Sequence, residues 1–166
     1  MAYDKLEAEL KKFLNRPTKV VLLGVGSELR GDDYVGMEIC KRLKNKIPEK
    51  VSIIETGVSP ENFTGKLRKI KPSHVIIFDA ADMNLEPGAV NLINSSDIGG
   101  LSISTHHLPL NLFMEYLKKT MNTSIIFIGI QPKSTEFGES LSRELKNTVL
   151  NLSIVLEKVL RETFSD

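Results

Sequence analysis

The order of hydrophobic and polar residues predicts strands and helices that alternate along the first half of the chain. Three short runs predict strands, and the first and third are apolar almost throughout, as in strands that are covered on both faces of a sheet. Between them, apolar residues recur every three or four positions, which indicates amphipathic helices. The predicted strands cover residues 19–25, 51–55 and 74–79, and the predicted helices cover 33–46 and 59–70.

The alternation changes after the third predicted strand. A fourth strand, 89–94, follows after only the short segment 80–88. A parallel crossover needs about a dozen residues or more, so we predict that this strand is antiparallel and lies at a sheet edge. The remaining pattern predicts a loop at 95–104, a helix at 106–120, a strand at 124–130 and a long helix at 141–160. In the helix 106–120, the residues expected to face inward are Leu108, Leu112, Tyr116 and Leu117.

These elements predict a three-layer α/β/α sandwich with a mostly parallel five-stranded sheet and one antiparallel edge strand. We expect one domain over residues 1–166, because no linker or repeat interrupts the pattern. Residues 1–14 have apolar side chains at helical spacing between charged ones, which predicts an amphipathic helix rather than a signal peptide.

Composition narrows the functional classes. A net charge of +1 and the absence of a basic block argue against a nucleic-acid partner. The apolar runs are far shorter than the roughly 20 residues that a membrane helix needs, so no membrane insertion is expected. The single cysteine, Cys40, excludes an internal disulfide and predicts a cytoplasmic location.

The loop after the first predicted strand begins with glycines in the order Gly24-Val25-Gly26. A dinucleotide fingerprint needs a third glycine at position 29, where the chain has Leu29. Two aspartates also place negative charge at the helix start, where a pyrophosphate would need the positive end of the dipole. The pattern therefore argues against nucleotide binding.

Carboxylates and imidazoles follow the predicted strands at one edge of the sheet. Asp32 and Asp33 lie in the first loop, Asp79 ends the third strand, and His106 and His107 stand where a loop becomes a helix. Ligands of open α/β sheets bind beyond the carboxyl ends of the strands. Two carboxylates and one imidazole suit zinc, nickel, cobalt or manganese, although residue spacing leaves open which aspartate of the pair and which histidine contribute.

Several sequence blocks resemble the hydrogenase maturation proteases, which trim the C-terminus of the large subunit of nickel-iron hydrogenases. The resemblance extends over residues 19–137 and is greatest to the branch that serves hydrogenases of the formate-hydrogenlyase type. The family usually has asparagine and glycine where this chain has Ser27 and Tyr34. The matching blocks are Gly24-Val25-Gly26 with Gly31-Asp32-Asp33, Glu55-Thr56-Gly57 with Ser59-Pro60-Glu61-Asn62, Asp79-Ala80-Ala81-Asp82-Met83, Glu86-Pro87-Gly88, Ser104-Thr105-His106-His107-Leu108-Pro109-Leu110-Asn111 and Gly129-Ile130-Gln131-Pro132.

The resemblance implies the activity and the site. By position, the metal-binding residues of the family fall on Asp33, Asp79 and His106, which are thereby also the expected catalytic residues of an aspartyl-type endopeptidase. The implied partner is a hydrogenase large-subunit precursor, and the implied metal is nickel carried by that substrate, with other divalent metals able to occupy the site.

Two other functions compete with this interpretation. One is a hydrolase of small molecules that keeps its own metal, and metal analysis after dialysis would distinguish it. The other is a chaperone that checks nickel insertion without cutting, and the mass of the precursor would distinguish it.

Overall fold

The computed structural model describes residues 3–99, 102–103 and 109–165. Six strands are present within these residues, and the carboxyl ends of four of them point to one edge of the sheet. The strands are β1 (Val20–Val25), β2 (Val51–Gly57), β3 (His74–Asp82), β4 (Val90–Ile93), β5 (Ser102–Ile103) and β6 (Ser124–Ile130).

The main sheet has the strand order β2-β1-β3-β6-β4. The pairs β1–β2, β1–β3 and β3–β6 are parallel, whereas β4 runs antiparallel to β6 at the edge. The predicted five-stranded sheet with one antiparallel edge strand is therefore confirmed. The two-residue strand β5 pairs antiparallel with the end of β3, within a segment predicted as loop, because so short a strand leaves no periodicity in the sequence.

Within the described part of the chain, five α-helices cover the sheet, and three short 3-10 turns precede or connect them. The 3-10 turns are 31–34, 60–63 and 95–97. None of the helices in the described ranges is long and apolar enough to cross a bilayer. The helices are α1 (Asp4–Phe13), α2 (Val35–Leu43), α3 (Thr64–Ile70), α4 (Leu110–Met121) and α5 (Arg143–Thr163).

Alternating side chains of the strands build a separate apolar core on each face of the sheet. On one face, Leu22, Phe78 and Ile128 pack with buried residues of α1, α2 and α5. On the other face, Leu23 and Phe127 pack with buried residues of α3 and α4. Helices therefore cover both faces, which confirms the three-layer arrangement.

The inward face predicted for the fourth helix is partly wrong. Leu112 is 53% exposed and Tyr116 is 41% exposed, whereas Leu117 is buried as expected. The sequence contains a second stripe at helical spacing, which begins at Leu110, and this stripe includes the bulkier Phe113. Leu108, the first residue of the predicted stripe, lies outside the described residues. The buried residues of α4 are Leu110, Phe113, Met114 and Leu117.

Candidate metal-binding and catalytic site

The loop after β1 folds back tightly on the 3-10 turn that precedes α2. Gly26 has a φ of +146°, and a Cβ atom there would stand 1.9 Å from the carbonyl oxygen of Asp33. No side chain fits in that distance, so a glycine is required for the chain to return at this point. The close approach fixes the turn that carries Asp33 directly above the end of β1.

The beginning of α2 is pressed equally closely against the strands. A Cβ atom on Gly36 would lie 2.1 Å from the carbonyl oxygen of Phe78 in β3 and 2.5 Å from that of Val25 in β1. Because Asp33 precedes Gly36 by one helical turn and Asp79 follows Phe78, this contact brings the turn that carries Asp33 to the part of β3 that carries Asp79, three residues before the strand ends at Asp82. The predicted end of the third strand at Asp79 is three residues too early, because Ala80 still pairs with β6 and Ala81 and Asp82 pair with β5.

Both carboxylates are almost completely buried and are held by backbone amides. Asp33 is 3% exposed, and its Oδ2 accepts a hydrogen bond of 2.9 Å from the amide of Ser27. Asp79 is 0% exposed, and its Oδ1 accepts a bond of 2.8 Å from the amide of Ala80. Each of these bonds fixes the orientation of its carboxyl group, which is what a preformed site needs.

The neighbouring Asp32 has a different function in the structure. It is 0% exposed, and its carboxylate accepts four hydrogen bonds, from the amides of Lys133 (2.8 Å), Ser134 (3.2 Å) and Ser142 (2.6 Å) and from the hydroxyl of Ser142 (2.9 Å). The Asp32 amide in turn donates to the carbonyl oxygen of Ser134 at 2.9 Å. Asp32 therefore fastens the segment 133–142 to the first loop.

The turn after β3 is organised by Gln131, a residue that the sequence did not single out by itself. Its Oε1 accepts hydrogen bonds from the amides of Met83 (2.6 Å) and Leu85 (3.3 Å). Its Nε2 donates to Oδ1 of Asp82 at 3.2 Å, and the same oxygen accepts from the amide of Asn84 at 3.1 Å. Asp82 thus stabilises the turn.

Comparison with known proteins identifies the family. The family model described as HycI, hydrogenase maturation protease, matches residues 34–160. The chain belongs to the hydrogenase maturation protease family. MJ0631 of Methanocaldococcus jannaschii, provisionally named a hydrogenase maturation protease, is 38% identical over 87% of this chain and 89% of its own length. The hydrogenase 3 maturation protease of Escherichia coli is 33% identical over 78% of this chain and 83% of its own length.

Solved structures of the family share the fold. The crystal structure of the nickel-iron hydrogenase maturation protease HycI from Thermococcus kodakarensis superposes with a TM-score of 0.85 at 31% identity, and covers 92% of this chain and 99% of that one. The solution structure of the endopeptidase HycI from Escherichia coli gives a TM-score of 0.75 at 31% identity, and covers 84% of this chain and 90% of that one. The predicted resemblance to hydrogenase maturation proteases of the formate-hydrogenlyase branch is confirmed.

The third donor expected in this maturation protease, His106, lies outside the described residues, as does His107. Among residues 3–99, 102–103 and 109–165, no group of three histidine, cysteine or acidic side chains could hold a metal ion. The meeting of Asp33, Asp79 and His106 around one ion therefore stays a prediction. Asp33 itself precedes the segment matched by the family model, which begins at Tyr34.

Two titratable side chains of the protease belong to the structural core. Cys40 of α2 is completely buried, and burial raises the pKa of its thiol far above the usual range, so it remains protonated. His74 lies at the amino end of β3, opposite the candidate site, and burial lowers the pKa of its imidazole. Neither side chain contributes to the edge of the sheet where the aspartates lie.

Proposed function

We propose that this chain is an endopeptidase that removes the C-terminal extension of a nickel-loaded large-subunit precursor of a nickel-iron hydrogenase. The observation that carries the proposal is the pair of buried aspartates, Asp33 after β1 and Asp79 within β3, in a member of the hydrogenase maturation protease family. The reducing cytoplasm is the proposed location, in keeping with one buried thiol and no disulfide.

Nickel enters this proposal as part of the substrate. Asp33, Asp79 and His106 are the proposed ligands, since two carboxylates and one imidazole suit nickel and other divalent first-row metals. Three protein donors leave coordination positions open for groups of the precursor or for water, as catalytic sites do. A precursor without nickel lacks the group that these side chains bind, so it would not be held in place for cleavage.

The chemistry proposed is hydrolysis by water. Holding the precursor by its metal places the scissile peptide against the aspartates and turns an encounter into an intramolecular step, which is a large source of rate. A carboxylate of Asp33 or Asp79 acts as general base toward the attacking water. Direct attack by a protein nucleophile is not part of the proposal, because the one cysteine is buried in the core.

The test is mass spectrometry of a purified precursor of the formate-hydrogenlyase type, loaded with nickel or free of it. The expected result is loss of the C-terminal extension from the nickel-loaded precursor alone. Asp79→Asn and His106→Ala should abolish cleavage, whereas His107→Ala, the matched neighbour, should cleave normally. Unchanged precursor mass with a folded wild-type chain would reject the protease function, and normal cleavage by His106→Ala together with failure of His107→Ala would reject the assignment of the histidine.

A further inference from the structure

The large apolar side chains that are exposed outside the helices lie at the edge of the sheet where the aspartates are. Within the described part of the chain, seven large apolar side chains are exposed, and four of them belong to α4 and α5. The other three are Leu29 after β1 (57% exposed), Leu85 after β3 (44%) and Phe137 after β6 (74%). Because these strands are adjacent and parallel, the three loops leave a part of the sheet that is only about 10 Å wide.

Hydrogen bonds join these three loops to one another. The amide of Gly138 donates to the carbonyl oxygen of Leu29 at 2.8 Å, next to Phe137. The amide of Leu85 donates at 3.3 Å to Oε1 of Gln131, at the start of the segment that carries Phe137. We call the three exposed side chains the apolar rim. Since their loops are bonded together in advance, the rim binds a partner without first ordering its own backbone.

The apolar rim is continuous with the turn that carries Asp33. The amide of Ser27 donates to Oδ2 of Asp33 at 2.9 Å, and the amide of Asp33 donates to the carbonyl oxygen of Arg30 at 3.1 Å. Leu29 lies between these two partners in the sequence, so its backbone is fixed relative to the candidate carboxylate. A polypeptide that presents a metal to Asp33 is therefore brought against the loop that exposes Leu29.

Carboxylates outnumber cations on the loops that carry the apolar rim. Five carboxylates are exposed there, three of them directly beside a rim residue in the sequence, and none forms an ion pair with another described residue. The segments 26–31, 82–89 and 131–142 contain two cations, Arg30 and Lys133, and Lys133 is paired with Glu144 of α5 at 3.0 Å. The rim is thus bordered by net negative charge, which favours a basic partner. The five carboxylates are Glu28, Asp82, Glu86, Glu136 and Glu139.

We propose that the apolar rim binds the precursor polypeptide close to the cut, and that it recognises a segment with a large apolar side chain and at least one lysine or arginine. The apolar side chain packs against Leu29, Leu85 and Phe137, and the basic group lies against the carboxylates beside them. The precursor is the occupant because the loop that exposes Leu29 also bonds to Asp33. This inference rests on the proposed function and adds the chemistry by which the substrate is recognised.

The first test measures binding of purified nickel-free precursor, which the proposed function leaves uncut, so that the dissociation constant reports the rim without the metal. Leu29→Ser with Phe137→Ser should raise the dissociation constant by roughly tenfold or more, the usual effect of losing interface anchors. The matched control is Leu150→Ser with Ile154→Ser, which removes two side chains of α5 that are 41% and 60% exposed. The control should leave the dissociation constant unchanged.

The second test concerns charge and compares Glu136→Lys with Glu49→Lys. Both variants change the net charge equally, but the exposed Glu49 lies in the connection before β2, outside the three loops. At low salt, Glu136→Lys should raise the dissociation constant by about threefold or more, because an attraction becomes a repulsion. The difference from wild type should shrink at about 0.5 M salt, since screening weakens interactions between exposed charges. Glu49→Lys should match wild type at both salt concentrations.

The third test measures cleavage of nickel-loaded precursor by the same variants. The rim variants should raise KM with kcat within about twofold of wild type, as expected when binding alone is weakened. Cleavage by wild type, with rim variants that bind and cleave like their controls, would overturn the rim and leave the protease function intact. Rim-dependent binding without any cleavage would support the rim and reject the protease function.

A photoreactive group at position 137 identifies the bound segment directly. It should crosslink to a stretch of the precursor near the cut that contains a large apolar residue and a lysine or arginine, whereas the same group at position 154 should not crosslink. A crosslink to a stretch without a basic residue, or wild type that does not bind the nickel-free precursor, would overturn the proposed recognition.

Discussion

Replacement of Asp32 by alanine tests the separation of roles within the aspartate pair. The carboxylate is inaccessible to solvent and accepts hydrogen bonds from three backbone amides and one hydroxyl, which belong to Lys133, Ser134 and Ser142. Asp32→Ala would leave all four donors without their acceptor. If Asp32 is structural, the variant should be markedly less stable than the wild type.

The magnitude follows from what can replace the lost bonds. Removing the charged acceptor of a hydrogen bond costs about 1.5–3 kcal/mol when the donor stays buried, but only about 1 kcal/mol when water can replace the acceptor. Lys133 is exposed and Ser134 and Ser142 are half-buried, so water reaches most of the donors. Four bonds then correspond to a loss of about 3–4 kcal/mol, or roughly 6–16 °C in the midpoint of thermal unfolding for a chain of this size.

The assay is equilibrium unfolding in guanidinium chloride followed by far-ultraviolet circular dichroism. Asp32→Asn is the first control, because its carbonyl oxygen can still accept the three bonds that Oδ2 accepts from the amides of Lys133 and Ser134 and the hydroxyl of Ser142. Its NH2 group would face the Ser142 amide, which also donates, so this variant should lose stability but less than alanine does. Ser142→Ala is the second control. It removes one of the four bonds and the N-terminal cap of α5 that Ser142 provides to Leu145, and should cost about 1–2 kcal/mol.

Two results would contradict the structural role of Asp32. One is a decrease of less than about 1 kcal/mol in the free energy of unfolding of Asp32→Ala, because the loss of four hydrogen bonds should cost more than that. The other is an increase in stability, which is the usual response when a strained functional carboxylate is removed and would point to Asp32 as the catalytic member of the pair.

Three further predictions use the same unfolding assay. Gly36→Ala should destabilise the fold by about 1–3 kcal/mol, because its methyl group would be forced against the carbonyl oxygen of Phe78. Gly65→Ala is the matched control in a helix: a Cβ atom there would meet nothing within 4 Å, so this variant should stabilise the fold by about 0.5–1 kcal/mol. Equal effects of the two variants would refute the close contact at Gly36. Burial lowers the pKa of His74 from 6.5, so the unfolded chain binds a proton at a higher pH than the folded chain does. The free energy of unfolding should therefore fall as the pH decreases below about 6.5, and His74→Gln should weaken this dependence. If the free energy of unfolding varies with pH equally in His74→Gln and wild type, His74 is not the cause. Gln131→Ala should lower the free energy of unfolding by about 2 kcal/mol, since two amides of the turn after β3 lose their acceptor. An unchanged free energy of unfolding would show that the turn is stable without Gln131.

The layers and strand directions could be predicted because each depends on a strong local signal. The apolar runs of β1, β3 and β6 are buried throughout or nearly so, and the short connection before β4 forces an antiparallel edge. The inward face of α4 could not be predicted, because two stripes overlap in its sequence and the choice between them depends on packing against the sheet. That choice is made by tertiary contacts and not by periodicity.

The placement of the two aspartates at the carboxyl edge of the sheet was predictable, but their supporting contacts were not. Strand ends placed Asp33 and Asp79 at one edge of the sheet, and the structure supplies the reason in the contacts of Gly26 and Gly36 with backbone atoms. The role of Gln131 was not predictable, since its side chain bonds to a turn almost fifty residues earlier. No sequence pattern marks a contact between segments so far apart.

The two aspartates differ because of the geometry of the turn that holds them. They lie in a 3-10 turn, in which successive side chains point about 120° apart, so adjacent aspartates cannot serve the same partner. Asp32 faces the segment 133–142, and Asp33 faces the loop after β1, where Ser27 donates to it. The bonds of Asp32 therefore fix the turn and, with it, the position of Asp33. A structural carboxylate beside the proposed catalytic one is thus a means of positioning, since any displacement of the segment 133–142 also moves the turn that carries Asp33.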